Sequence, residues 1–293
     1  MIKAVQLILV STLLPLFAGG QSFYTARQNR NLIFSAGLGT SSYYGDLANS
    51  NNYINAAPNL NVGLQYYISS RISSRIELNW FTLSGDDKNA TDEGRKIRNL
   101  SFQSGNLEVS AIGIINIFRN GDRYYRRPNF NAYGFTGIGL LYFNPKATYN
   151  GTTYSLQPLK TEGVSYSLVT PVIPIGLGIR LKALPQFNIA MEVGWRILFT
   201  DYLDDVSNVY IDNNSFTDPI AKALADRRVE LGYPASAAGG IRGGPKYNDA
   251  YMLLNVKMEY YLPTQFGGHA RKKSYAKKRK HYKKAGLKQT KRK

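Results

Sequence analysis

The chain has no cysteine, and its only histidines, His269 and His281, lie close to its end. Without cysteine there is neither a disulfide framework nor a thiolate site. The histidines belong to the basic tail, away from any barrel-mouth acid or serine that would complete a relay, which disfavours a hydrolase built on a histidine base. Long apolar runs are also missing beyond residue 17, and no later segment reaches the roughly 18 residues that a spanning helix requires. A membrane protein made from the rest of this chain must therefore be a closed β-barrel. Acid is scarce, with 19 Asp and Glu against 37 Lys and Arg for a net charge of +18. That excess is uneven: Arg271 to Lys293 hold thirteen basic residues and no acid.

Residues 1–20 open with Lys3, run apolar from Ala4 to Phe17 and end Ala18-Gly19-Gly20. A basic start, a short greasy core and small closing residues predict a signal peptide cut after Gly20. The expected organisation is a leader over 1–20, a barrel over 21–264 and a flexible basic tail over 265–293.

Tyrosine and phenylalanine are plentiful, and eight stretches alternate apolar with polar side chains. The second, 58–68, sets Leu60, Val62, Leu64 and Tyr66 against Asn61, Gly63 and Gln65. A period of two gives one greasy and one wet face, whereas a helix needs apolar residues three or four apart. The other strands are expected at 32–40, from 72, and at 104–118, 129–143, 167–180, 186–200 and 249–262. The fifth is ambiguous, because Tyr133, Phe135 and Leu141 share a face with Gly137 and Gly139 while Ile138 and Leu140 lie opposite.

Connections near 41–57, 83–103, 144–166 and 201–248 are long, and those near 69–71, 119–128 and 181–185 are short. Sorting of loop lengths by parity is the outer-membrane rule, and a soluble sandwich has no reason to follow it. The predicted fold class is all-β: an eight-stranded antiparallel transmembrane barrel in the outer membrane, long loops outside and both mature termini in the periplasm. Its wet faces carry Arg75, Glu77, Glu108, Glu192, Arg196, Lys257 and Glu259, charges of both signs that would pair inside a narrow lumen. A polar plug is the expectation; a solute path would need a continuous opening.

No catalytic, cofactor-binding or metal residue is expected. The acidic run Asp201, Asp204, Asp205 with Asp212 would suit a hard cation, but it lacks the spacing of an EF-hand loop. Pairing with basic groups in the last long loop is the simpler expectation, and Pro219 to Arg228 reads as a short helix within that loop. The tail, with Arg271, Lys272, Lys273, Lys277, Lys278, Arg279, Lys280, Lys283 and Lys284, would suit nucleic acid in a cytoplasmic protein. Export removes nucleic acid as a partner and leaves acidic proteins, phospholipid or cell wall.

Four strings, in order, are similar to one family. They are Gly39 to Leu47, including Tyr43, Tyr44, Gly45 and Asp46; Tyr154 to Gly163, including Gln157, Pro158, Leu159, Thr161, Glu162 and Gly163; Thr200 to Ser207, including Asp201, Tyr202, Asp204 and Asp205; and Tyr247 to Tyr251, including Asn248 and Asp249. Together with the leader and the barrel, they resemble the PorG-like outer-membrane proteins of the Bacteroidetes type IX secretion system, over about residues 22–264. The resemblance implies a nonenzymatic component of the secretion and gliding machinery, associated with the periplasmic PorK and PorN ring. Two alternatives are an envelope-stabilising barrel whose tail touches cell wall and, less favoured, an outer-membrane enzyme.

Overall fold

In the computed structural model, residues 30–49, 57–121 and 124–263 are described. The expected leader and the whole of the basic tail, with all nine of its named residues, lie outside them.

Alternating side chains build β1 (Leu32–Tyr44), β2 (Ala57–Tyr67), β3 (Ile72–Asp86), β4 (Ser101–Asn116) and β5 (Phe130–Tyr142). A small hairpin follows, β6 (Pro145–Tyr149) and β7 (Thr152–Ser155), and then β8 (Val169–Leu184), β9 (Phe187–Leu198) and β10 (Ala250–Tyr261). All pair antiparallel with their neighbours, the hairpin included, which attaches to β4 through β6. β3 pairs with β4 and β1 with β10, so the eight-stranded sheet closes and leaves no edge. Several strands, such as β4 and β8 with 16 residues each, exceed the roughly 9–11 that cross a membrane. β8 runs on to Leu184 and β9 begins at Phe187, so the turn expected at 181–185 shrinks to the two residues between them.

The outer surface is apolar: Leu38, Leu64, Ile76, Val109, Ile138, Leu177, Met191 and Val256 are all exposed. Water would not tolerate so large a contiguous belt on a monomer. Trp80 and Trp195 face outward within it, Trp195 against Tyr44 at 4.5 Å between ring centroids. Among the described residues no helix is long and apolar enough to cross a membrane; the apolar belt lies on the strands. The protein is an outer-membrane β-barrel with long loops outside and the barrel ends in the periplasm.

Inside, the fifth strand resolves its ambiguity. Tyr133, Phe135 and Leu141 point inward and Ile138 and Leu140 meet lipid. The rings fit because the facing strand is bare: a Cβ at Gly178 would lie 2.4 Å from Tyr133 Cζ. With Ile112 and Ile114 these rings form an apolar block, so the lumen is not the wholly polar plug that the alternation suggested.

The charged interior residues fall into three groups along the axis. Nearest the outer mouth, Glu108 accepts from Tyr251 Oη at 2.6 Å and lies 3.3 Å from Arg196 Nε. At mid-height Glu192 receives both Arg75 Nη atoms at 2.6 and 2.9 Å, Lys257 at 2.6 Å and Tyr133 Oη at 2.6 Å. Glu77 closes that group, 2.6 Å from Lys257 Nζ and 2.7 Å from Arg75 Nε. Nearest the periplasm, Arg180 grips Glu259 through two nitrogens at 2.5 and 2.8 Å. Arg180 carries no signal separating it from an ordinary strand-end cation in the sequence, yet it completes the balance of four cations and four carboxylates in the lumen.

Candidate functional site in the extracellular cap

Above the barrel the long loops fold into a cap with its own apolar core. Leu47, Phe102, Phe143, Leu156, Leu203, Val206 and Leu224 pack with the rim residues Phe81, Leu141 and Tyr251. Local sequence sets the cap's short helices. Helix α1 (Glu93–Arg98) starts at Asp92, whose carboxylate accepts from Arg95 N, and ends at Asn99 in the left-handed region. Helix α2 (Pro219–Ala225) starts at Asp218 with proline in its first turn, where the missing N–H costs nothing. A 3-10 turn over Arg227–Leu231 takes over where a single helix was expected to continue to Arg228. The β6–β7 hairpin has no counterpart in the expected elements.

The four family-like strings, far apart in sequence, meet inside this cap. Tyr43 Oη lies 2.6 Å from Asp204 Oδ2 and 2.9 Å from Asp249 Oδ1. Asp204 also accepts from Leu47 N and Val206 N, and Asp249 from Leu203 N. One phenolic hydrogen cannot serve two carboxylates, so one acid must be protonated and donate to Tyr43 Oη. Burial pushes Asp204 up to about 8 against the hydrogen bonds it accepts, and burial with the charges of Asp204 and Asp201 pushes Asp249 well above the ordinary carboxyl value. Gly45 is needed here because a Cβ would lie 1.9 Å from Asp249 Oδ1.

A second knot joins the third and fourth long loops. Glu162 accepts from Ser207 N and Asn208 N, each at 3.0 Å, and from Arg242 Nη1 at 2.8 Å. Asp205 accepts from Thr161 Oγ1 and Tyr166 Oη at 2.5 and 2.7 Å; burial raises it to about 6, against the pull of Arg242. Asp205 itself has φ of 69°, a conformation aspartate tolerates better than most residues. Tyr202 stacks on Tyr166 at 4.7 Å. Gln157 donates to the Tyr166 carbonyl, Leu159 packs against the cap core, and Gly163 turns the chain at φ of 73°.

The first string reaches further. Asp46 accepts from Gly244 N at 2.8 Å, and its carbonyl accepts from Arg98, which also binds Asp87 and the Arg242 carbonyl. Asn248 donates to the Leu198 carbonyl at 3.3 Å. Asp201 is half-buried, one carboxyl oxygen lacks a partner, and burial raises it to about 7. Asp212 stands apart, capping a turn at Asn214 and Ser215. Among the described residues no group of three or more His, Cys, Asp or Glu is placed to hold a metal ion. Arg242, Arg98, Asp87 and Tyr166 were invisible as site residues, since lone loop residues carry no periodic signal.

The closed barrel, the buried charged side chains in its lumen and the folded cap define the class: a small outer-membrane barrel that carries a folded cap on its outer side. The chain belongs to the family described as domain of unknown function DUF6089, whose model matches residues 14–218, more than half of its length. No curated protein matches it. Among solved structures it is similar to Neisserial surface protein A, with 6% identity and a TM-score of 0.42 over 79% of this chain and 97% of that one. It is similar to Ail of Yersinia pestis, with 10% identity and a TM-score of 0.40 over 80% and 99%. The outer membrane enzyme PagL is a third, with 10% identity and a TM-score of 0.32 over 78% and 99%. Likeness at this level assigns no activity to this chain.

Proposed function

We propose that this protein is a nonenzymatic, non-conducting barrel that stabilises the outer envelope, holding a folded cap outside and a basic tail inside that contacts cell wall. The observation that carries this reading is the filled lumen: Arg75, Arg196, Lys257, Tyr133 and Tyr251 are all fully buried inside the barrel, which leaves side chains where a pore would need water. The test is a deletion strain complemented with the full chain or with a chain lacking 271–293. Envelope leakage and detergent sensitivity should be rescued by the first and only partly by the second. Full rescue by the truncated chain would remove the tail from the account.

A second reading, attachment of a type IX secretion ring of PorK and PorN, is favoured by one observation. The four strings that carry the PorG-like resemblance converge on one network of Tyr43, Thr161, Glu162, Asp204, Asp205 and Asp249, so the likeness describes a single folded unit. That unit faces outward, and ring contacts would fall to the turns at 68–71, 117–129 and 185–186 and to the tail. Crosslinking in intact cells, with cargo export measured in the same strains, separates the two readings. Capture of ring proteins with impaired export supports attachment; capture of peptidoglycan alone with normal export opposes it.

A further inference from the structure

We infer that the periplasmic mouth contains a pocket for the carboxylate end of a periplasmic peptide, whichever of the two functions holds. Seven arginines are buried among the described residues. Five of them, Arg75, Arg180, Arg196, Arg227 and Arg242, each face a carboxylate. Arg30 and Arg127 face none among the described residues, and the lumen already balances its charges without them.

The two cations differ in what they leave open. Arg127 spends its N–H groups on Asn188 Oδ1 and on the carbonyls of Tyr124, Leu184, Pro185 and Phe187. Its hydrogen bonds are made but its charge is not neutralised, and burial lowers its pKa accordingly. The nearest lumen acid, Glu259, already turns both oxygens to Arg180. Among the described residues Arg30 makes one hydrogen bond, Nη1 to the Tyr261 carbonyl at 2.9 Å, and its buried Nε has no partner. Asn120 Nδ2 is likewise buried and without a partner. An orphaned buried donor costs about 1–3 kcal/mol, more when charged, so both ask for an acceptor.

These groups line one cavity of about 410 Å³ between the start of β1, the turn at 68–71 and the turn at 117–121. Its walls include Tyr67, Tyr124 and Tyr261, and its described lining contains no acid. Arg30 sits 4.8 Å from the Tyr124 ring centroid and Arg127 4.7 Å from that of Tyr261, contacts that offset only part of a buried charge. Asp122 and Arg123, of opposite sign, belong to the same turn and lie outside the described residues. The chain's own tail has the wrong sign to fill the cavity. Tyr67 and Tyr261 are buried inside the barrel rather than on its lipid face, which argues against a lipid headgroup. Two open donors match the two oxygens of a carboxylate, while a phosphate dianion would ask for more. The flat phenol walls suit a peptide plane, and the volume suits one or two residues.

The test is a titration of the full-length folded protein in neutral detergent, read by NMR at the Asn120 side-chain amide. The probes are acetyl-tetraalanine with a free carboxylate, its terminal amide, inorganic phosphate, and micelles doped with anionic lipid. The free acid should shift the signal saturably, more weakly as salt rises, and the amide should bind about tenfold or more weaker. Arg30→Gln should weaken the acid by a similar factor. If that variant loosens the mouth, Asn120→Ala, followed at the Arg30 Nε signal, leaves every arginine in place and should still weaken binding several-fold. Equal binding of acid and amide, saturation by phosphate or anionic lipid without the peptide, or no response to any probe would each overturn the assignment.

Discussion

Asp249→Asn isolates the proton that the cap shares between Asp204 and Asp249. With Asp249 protonated on Oδ1, it donates to Tyr43 Oη, which donates to Asp204, while Asp249 Oδ2 accepts from Leu203 N at 2.9 Å. An amide repeats both of those bonds without needing a proton, so the variant should fold its cap at least as well at neutral pH. The sign of the pH effect is the reverse of an ion-paired carboxylate. Because Asp204 rises from 3.8 to about 8, the folded cap keeps a proton that the opened cap releases. Stability is complete below about pH 4, falls as pH rises and levels off above about 8. One retained proton gives a slope of about 1.4 kcal/mol per pH unit within that window. Asp205, raised to about 6, adds to the slope only in its lower part, and Asp201, raised to about 7, adds to it below that value in both proteins. Hydrogen exchange at the amides of Leu47, Leu203 and Val206, corrected for intrinsic rate, reads this opening in detergent micelles. Between pH 6 and 8 the wild-type slope should exceed that of the variant by close to one proton. Identical slopes, or protection that grows with pH, would refute the shared proton.

Arg242→Ala leaves Glu162 and the Asp205 carbonyl without the guanidinium now 2.8 and 2.6 Å away. The cap should lose about 3–5 kcal/mol, seen as rapid proteolysis within 201–248 while the barrel keeps its heat-modifiable migration on gels. Gly45→Ala, whose new methyl would strike the Asp249 carboxyl, should accelerate the same cleavage, and unchanged cleavage would mean the latch has slack. Glu192→Gln removes the carboxylate shared by Arg75 and Lys257. It should cost the barrel about 3–5 kcal/mol, measured as a lower unfolding midpoint in detergent with the cap signals following the barrel's.

Most of the barrel is legible in the sequence because lipid on one side and a filled lumen on the other leave a period of two on every strand. Glu77, Glu108 and Glu192 can be placed inward by parity alone. Parity fails where both faces are apolar, as in β5, where the choice was made by glycines on the facing strand rather than by the strand itself. The cap is harder. Tyr43, Glu162, Asp204 and Asp249 are conspicuous as strings, but nothing local tells which loop each will meet. Arg242, the residue that ties Glu162 to Asp205, is one basic residue among glycines. The periplasmic pocket is less visible still, because what marks Arg30 and Arg127 is the absence of a partner, and that is a property of packing.

The central claim is that the lumen is sealed, and planar-bilayer recording of the folded, full-length protein tests it most directly. Protein whose insertion is confirmed by protease protection should show no sustained conductance steps at either polarity, because the Arg75, Glu77, Glu192 and Lys257 layer and the cap above it fill the axis. Stable ohmic steps from wild-type protein would contradict the account.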